Sequence, residues 1–331
     1  MHPIICRLIT GFIPNKEKRK KFREKHITNK INKHSIEYIS NQLDYLINFV
    51  KKTTDITKIP TAYGNLRLVQ LGSAKLLDLI HNICINNNLQ YWMHYGTLIG
   101  AVRHKGFIPW DDDIDICMMR DDYEKLIKIL GNGKFCKTDG ILTFNVGDVL
   151  KIFYRNLPIR VDIFPMDTYY EKVKTEEQQN TLIEKQAKAR SMVKFDWSNL
   201  LPVFPDEIPS NTKNYSEIKD ISNKVVMNNN LSIEQGSIFR GIETIPTDRV
   251  VYQYEHIFPI KNIQFEGYNF MCPNRCDAVL QTRFGDGIFD YPADMYSKHS
   301  LLSKLNLTTL IEIEKFLAED NKKILEKLQW K

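Results

Sequence analysis

Long apolar runs are missing from this sequence: no stretch approaches the roughly 20 residues that a helix needs to cross a bilayer. The opening segment, residues 1–9, is short and interrupted, so a secretory signal is not expected there. Cysteine is sparse, with six residues (Cys6, Cys84, Cys117, Cys136, Cys272, Cys276) scattered along 331 positions. Only Cys272 and Cys276 are close, and no second Cys or His pair stands at zinc-like spacing. That argues against a disulfide framework or a structural zinc and suits a reducing compartment. Arginine-rich tracts and nucleic-acid motifs are lacking, and a net charge of +6 is mild for this length. Nucleic acid is therefore not an expected partner. Internal repeats and low-complexity tracts are absent too. What remains, at 43% apolar, is enough to bury one large core or two modest ones.

The clearest positive feature is an acid run set in an apolar one. Asp111, Asp112, Asp113 and Asp115 fall within five residues, and Ile114, Ile116, Cys117, Met118 and Met119 thread through and after them. Carboxylates that close repel one another and are costly to bury without a compensating cation. On a strand, side chains alternate, so Asp113 and Asp115 share one face while Ile114 and Ile116 enter a core. Two acids on one sheet face, with a glycine and basic residues just upstream, suggest a Mg2+ platform for phosphate chemistry. The plainer alternative is a solvated acidic loop, against which the Asp-Ile-Asp alternation and the flanking Phe107 and Trp110 argue.

Around this run the pattern predicts helices over 35–57, 66–88 and 169–195, and a C-terminal amphipathic helix over 301–330. Strands are predicted at 90–94, through Asp113 and Asp115, and at 141–146, 149–155 and 159–164. Asp121 reads as the N-cap of a helix ending at Leu130. The stretch 196–235, rich in Pro, Asn, Ser and charge, reads as an insertion or lid. Ile4, Ile5, Leu8, Ile9 and Phe12 recur at helical spacing, and residues 16–25 carry seven Lys or Arg against two Glu. Residues 1–25 are thus expected to grip an anionic membrane surface, or else to form a terminal helix packed on the body. The expected domains are a basic, helical 1–60, a catalytic 61–300 with an insertion at about 170–240, and a C-terminal helix 301–331.

Residues 96–124, from Gly96-Thr97-Leu98 through Arg103-His104-Lys105-Gly106-Phe107-Ile108-Pro109-Trp110 to the acid run and Asp122-Tyr123-Glu124, resemble the LicD family. Val161-Asp162-Ile163-Phe164-Pro165-Met166-Asp167 is a second matching block. A third is spread over Phe258-Pro259, Phe265-Glu266-Gly267, Pro273 and Arg283-Phe284-Gly285-Asp286, with Phe284 where the family has Tyr. The resemblance implies an α+β fold with a nucleotidyltransferase-like mixed sheet and flanking helices. It implies Gly96-Thr97 as a turn before the acid strand, where Gly96 lets the backbone approach a donor phosphate and Thr97 offers it hydroxyl and amide donors. It also implies Asp113 and Asp115 as the metal pair and Asp162 as the third catalytic acid, placed to accept a proton. Mg2+, with Mn2+ as the alternative, is the implied cofactor, and Asp111 an additional ligand or a supporting group.

The implied reaction moves a phospho-alcohol (choline, ethanolamine, glycerol or ribitol) from a CDP-linked donor to a glycan or lipid-linked glycan acceptor. Nucleotidyl transfer from an NTP and an inactive binding protein are the alternatives. Among cations, Arg103 suits bidentate phosphate binding. His104 reads equally as a phosphate donor or a loop residue, and Lys105 completes the trio. Lys151 interrupts an apolar strand and is expected to offset the acids. Arg155 and Arg160 have less to mark them. Asp112 is expected to hold the loop, and Asp286 either touches substrate or shapes a turn. A cytoplasmic setting, peripheral to the membrane's inner face, is expected.

Overall fold

The computed structural model describes residues 16–23, 29–130, 140–146, 149–192, 220–221, 225, 236–242, 248–291 and 300–327. The expected apolar start at 4–12 and most of the 196–235 stretch lie outside the described residues. The chain divides into two compact units, Met1–Ile59 and Pro60–Lys331.

The first unit holds α1 (Lys16–Arg23) and α2 (Asn29–Thr53), closed by a 3-10 turn at Ile56–Lys58 that Asp55 caps through its side chain. The second unit begins with α3 (Gly64–Asn86). Contrary to the sequence reading, and although Arg67, Lys75 and Asp78 break up its apolar run, α3 is the one described helix long and apolar enough to cross a membrane, and most of it is buried inside the protein. It is a core helix, so its apolar positions run round much of its circumference. β1 (Trp92–Met93), α4 (Tyr95–His104), β2 (Ile114–Met119) and α5 (Arg120–Leu130) follow. α5 begins at Arg120, so Asp121 lies in its first turn rather than at its cap.

The sheet is mixed. β2 lies parallel to β5 (Arg160–Tyr169), and β4 (Val149–Tyr154) and β3 (Ile141–Val146) continue antiparallel beyond it. β5 is the central strand, with all ten residues buried. It runs through Pro165, where the sequence pattern had placed a strand end. β4 pairs with β5 as far as Ile163, and β6 (Ser237–Arg240) takes over at Met166. The Pro165 carbonyl accepts from Gly241 on that same edge. The missing N–H of proline therefore falls at the handover, where no ladder bond is lost. β7 (Val251–Gln253) extends the sheet beyond β6.

After α6 (Glu176–Met192), which starts seven residues later than its periodicity suggests, come β6, β7 and the short α7 (Tyr254–Ile257). The hairpin β8 (Lys261–Phe265) and β9 (Tyr268–Cys272) and helix α8 (Cys276–Phe284) follow. The C-terminal region is not one helix. A 3-10 turn at Ser300–Lys304 precedes α9 (Leu307–Ala318) and α10 (Asn321–Lys327). Asn306 and Thr309 exchange side-chain and backbone hydrogen bonds in a capping box, which starts a new helix inside the apolar pattern. α9 packs on α3, with Phe316 stacked on Tyr154 at 4.0 Å and Lys75 donating to the Leu317 carbonyl.

Candidate active site

β2 and β5 lie in register with Asp115 opposite Asp162, and Lys151 of β4 opposite Asp162 on the other side. Parallel registry puts the two acids side by side on one face, and alternation adds Arg160 and Phe164 to that face of β5. Asp113, just before β2, completes the cluster: the carboxylate oxygens of Asp113, Asp115 and Asp162 come within 4.8 Å of one another. The carboxylate oxygens of Asp111, Asp112 and Asp113 also come within 4.8 Å of one another.

Such crowding needs cations. Arg160, only 2% exposed, donates to Asp113 Oδ2 at 2.8 Å and ion-pairs with Asp162 Oδ1 at 3.0 Å. Lys151 Nζ meets Asp162 Oδ2 at 2.6 Å. Arg160 was the less marked residue in the sequence and is the better placed one. Lys151 offsets the acids, as its position on an apolar strand suggested. Even so, burial, and then Asp113, Asp162 and Asp111, push the Asp115 carboxyl well above the usual carboxylate range. The donor set is all carboxylate oxygen, the hard ligand type that Mg2+ or Mn2+ takes. The residues fit such an ion.

Gly96 and Thr97 do not form a turn between strands; they lie in the first turn of α4, which starts directly after His94, the residue that follows β1. Thr97 is buried, and its hydroxyl accepts the Asp115 N–H at 2.8 Å, so it positions the acid strand. Gly96 makes room. A Cβ there would stand 2.7 Å from Asp111 Oδ2. Asp112 is fully buried, and its N–H donates to Asp111 Oδ1 at 3.2 Å.

A cleft of about 630 Å3 opens over the acids, lined by Asp111, Asp113, Asp115 and Asp162. Tyr95, Ile99 and Arg103, four residues apart on one face of α4, form part of its wall. Arg240 at the end of β6 and Arg283 near the end of α8 add to it, as does the 3-10 segment Gly285–Phe289 through Gly287 and Ile288. The arginines are set in place. Arg283 donates to Asp248 Oδ1 at 2.6 Å, and Arg240 to Asp248 Oδ2 at 3.3 Å and to the Tyr95 hydroxyl at 3.1 Å. Arg240 lies 4.3 Å from the Phe164 ring centre and Arg283 4.9 Å from that of Tyr95. Burial works to raise the Asp248 carboxyl, but Arg283 and Arg240 outweigh it and hold Asp248 below its ordinary value.

Arg103 donates to the Ile288 carbonyl at 2.6 Å and to His104 Nε2 at 2.9 Å. Both acceptors are neutral, so Arg103 keeps its positive charge in the cleft. Burial and Arg103 push the His104 imidazole down to about 4, which fits an acceptor nitrogen and a loop role. Lys105 is an exposed left-handed cap of α4 (φ 57°) and does not line the cleft. Asp286 accepts from Gln281 at 2.7 Å beside the cleft, while its neighbours Gly287 and Ile288 form the lining. Sequence reading passed over Arg240, Asp248 and Tyr95.

Residues 88–204 match the family described as "LicD/FKTN/FKRP, nucleotidyltransferase domain". Over those residues the chain is similar to a LicD-family domain. The lipopolysaccharide cholinephosphotransferase LicD of Haemophilus influenzae is 38% identical over 117 residues, covering 31% of this chain and 44% of that protein. The ribitol 5-phosphate transferase FKRP of Mus musculus is 30% identical over 82 residues, 23% of this chain and 17% of that protein. An uncharacterized protein of Rickettsia prowazekii is 48% identical over 60 residues, 18% of this chain and 23% of that protein. Each match thus spans less than half of the relative's length. The family match at residues 88–204 contains the α4 wall, the acid run, Lys151, Arg160 and Asp162. Arg240, Asp248 and Arg283 lie beyond it.

Proposed function

We propose that this protein is a divalent-cation-dependent transferase that moves a phospho-alcohol from a CDP-linked donor to a hydroxyl of a cell-surface glycan, releasing CMP. The observation that carries the reading is the cleft's lining: crowded carboxylates at β2 and β5, with Arg240 on the neighbouring β6 and Arg103 and Arg283 on helices α4 and α8. A diphosphate bridging them would meet guanidinium donors on one side. The names of the matched Haemophilus and mouse proteins, a cholinephosphotransferase and a ribitol phosphate transferase, support phospho-alcohol transfer over transfer of a nucleotide.

Asp113, Asp115 and Asp162 would hold Mg2+, with Mn2+ the alternative, and Asp111 lies beside them. When bound, the ion would supply charge stabilisation to the transferred phosphoryl group. Arg103, Arg240 and Arg283 would bind and orient the donor diphosphate, with Asp248 and Tyr95 keeping Arg240 and Arg283 extended into the cleft. Both oxygens of Asp162 are engaged by Lys151 and Arg160. This supports a holding role for Asp162 over the proton-accepting role that the family pattern implies. Phe164 and Tyr95, with cations over their rings, wall the space in which the donor would lie.

The test offers the full chain each of the four CDP-alcohols, and NTPs separately, with Mg2+ and a glycan acceptor. CMP should appear from one CDP-alcohol and fall by about 100-fold or more in Asp113→Asn, the scale of losing a preorganised electrostatic group. Arg283→Ala should raise the apparent donor KM more than it lowers kcat. Pyrophosphate from an NTP, or full activity in Asp113→Asn, would overturn the reading.

A further inference from the structure

The charge of this chain is unevenly placed. Residues 1–59 carry thirteen Lys and Arg against five Asp and Glu, or +8, while residues 60–331 carry 33 against 35, or −2. The whole positive excess therefore belongs to the first unit. Within α1, six of eight residues are Lys or Arg.

The same unit exposes apolar surface. On α2, Ile36, Ile39, Leu43 and Leu46 follow one another at steps of three and four and are 54 to 68% exposed. Tyr38, Tyr45 and Phe49 are as exposed and form an adjoining stripe. Glu37, Asp44 and Lys51 fall on the opposite side at helical spacing. An amphipathic helix of 25 residues whose apolar face is rimmed by tyrosines, in a unit of strong positive charge, has the make-up of an element that lies in a bilayer interface.

We infer that α2 is the docking face of this protein for an anionic phospholipid surface, lying in the plane of the interface with Ile36, Ile39, Leu43, Leu46 and Phe49 inserted and the basic residues of α1 above the headgroups. The sequence pattern pointed to residues 1–25 for this role, whose apolar positions lie outside the described residues; α2 presents an exposed apolar face among the described ones. A second copy of the chain is the competing occupant. Charge decides against it, because two units of +8 repel, whereas an anionic surface attracts both. The positions flanking the apolar seam also lack what specifies a coiled coil: Ser35, Gln42 and Phe49 on one side, Ser40 and Ile47 on the other, with no charge pair among them.

The experiment is flotation of the full chain with phosphatidylcholine vesicles containing none or about 30 mol% phosphatidylglycerol, at low and high salt. The protein should float with the anionic vesicles only, and less at high salt. Leu43→Asp with Leu46→Asp, and separately Lys20→Glu with Lys21→Glu, should each weaken binding by about tenfold or more. CMP release from soluble donor should stay unchanged in both. Failure to float, or equal flotation of the Leu43→Asp/Leu46→Asp protein, would overturn the inference. So would a concentration-dependent dimer that this variant dissolves.

Discussion

Two glycines four residues apart on α4 answer to different constraints. At Gly96 a Cβ would meet the Asp111 carboxylate, the far end of a side chain that can swing aside. At Gly100 it would stand within reach of the Gly106 carbonyl and 3.1 Å from the Ile108 nitrogen, backbone that cannot move without displacing the whole 106–113 segment. Gly96→Ala should therefore keep its melting temperature and lose turnover, because Asp111 leaves the cleft. Gly100→Ala should lose about 1–3 kcal/mol of stability, the range for overpacking, read by thermal denaturation. Equal destabilisation by both would refute the distinction. The same scale shows what was legible in residue types alone. The acid pair was readable because alternation puts Asp113 and Asp115 on one face. Arg160, Asp162 and Phe164 obey that same alternation, and the period-two signal could have promoted Arg160. Thr97 misled, because a hydroxyl beside a glycine looks like a phosphate donor, yet here it accepts a strand N–H.

Elements reveal why other parts of the site stayed hidden. β5 was cut short at Pro165 because proline normally ends a ladder, and only the exchange of partners from β4 to β6 explains why it does not here. Arg240, on β6, follows a stretch with little periodicity, and nothing local marks it as lining a cleft with acids 78 to 129 residues upstream. Glu266, at the tip of the β8–β9 hairpin with φ 51°, is the opposite case. Its motif was visible, and its carboxylate receives Arg67 at 2.9 and 2.6 Å and the Phe107 N–H at 3.0 Å. The hairpin thus fastens the segment leading into the acid run. Glu266→Gln removes a charge and one acceptor, and should cost about 1–3 kcal/mol, the usual penalty for a stranded partner. Faster amide exchange at Phe107 would be its local signature, and unchanged protection there would show that the hairpin does not hold this segment.

At the scale of the molecule, a buried imidazole contributes to the response to acid. His94, whose ring lies 2.8 Å from the Tyr252 hydroxyl, is pushed down to about 3 by burial and then by Arg283. In the unfolded chain the same ring takes up its proton near pH 6.5. Between these values the unfolded state binds the proton and the folded state does not, so stability is fully present above pH 6.5 and falls as pH drops towards 3. The slope contributed by His94 approaches ~1.4 kcal/mol per pH unit. His94→Asn should flatten the stability–pH curve in that window, and an unchanged slope would exclude His94 as its source. The cleft itself is assembled from distant parts of the chain. Its acids come from one continuous stretch matched across the family, whereas Arg240, Asp248 and Arg283 come from a separate later stretch. On the proposed function, the groups that would hold the ion and two of the three that would grip the diphosphate are therefore written in different places. A lineage could retune its grip on a phosphate-bearing ligand by rewriting residues 248–291 and leave the carboxylates untouched, and a chimera swapping that stretch would pair a new clamp with an old acid cluster.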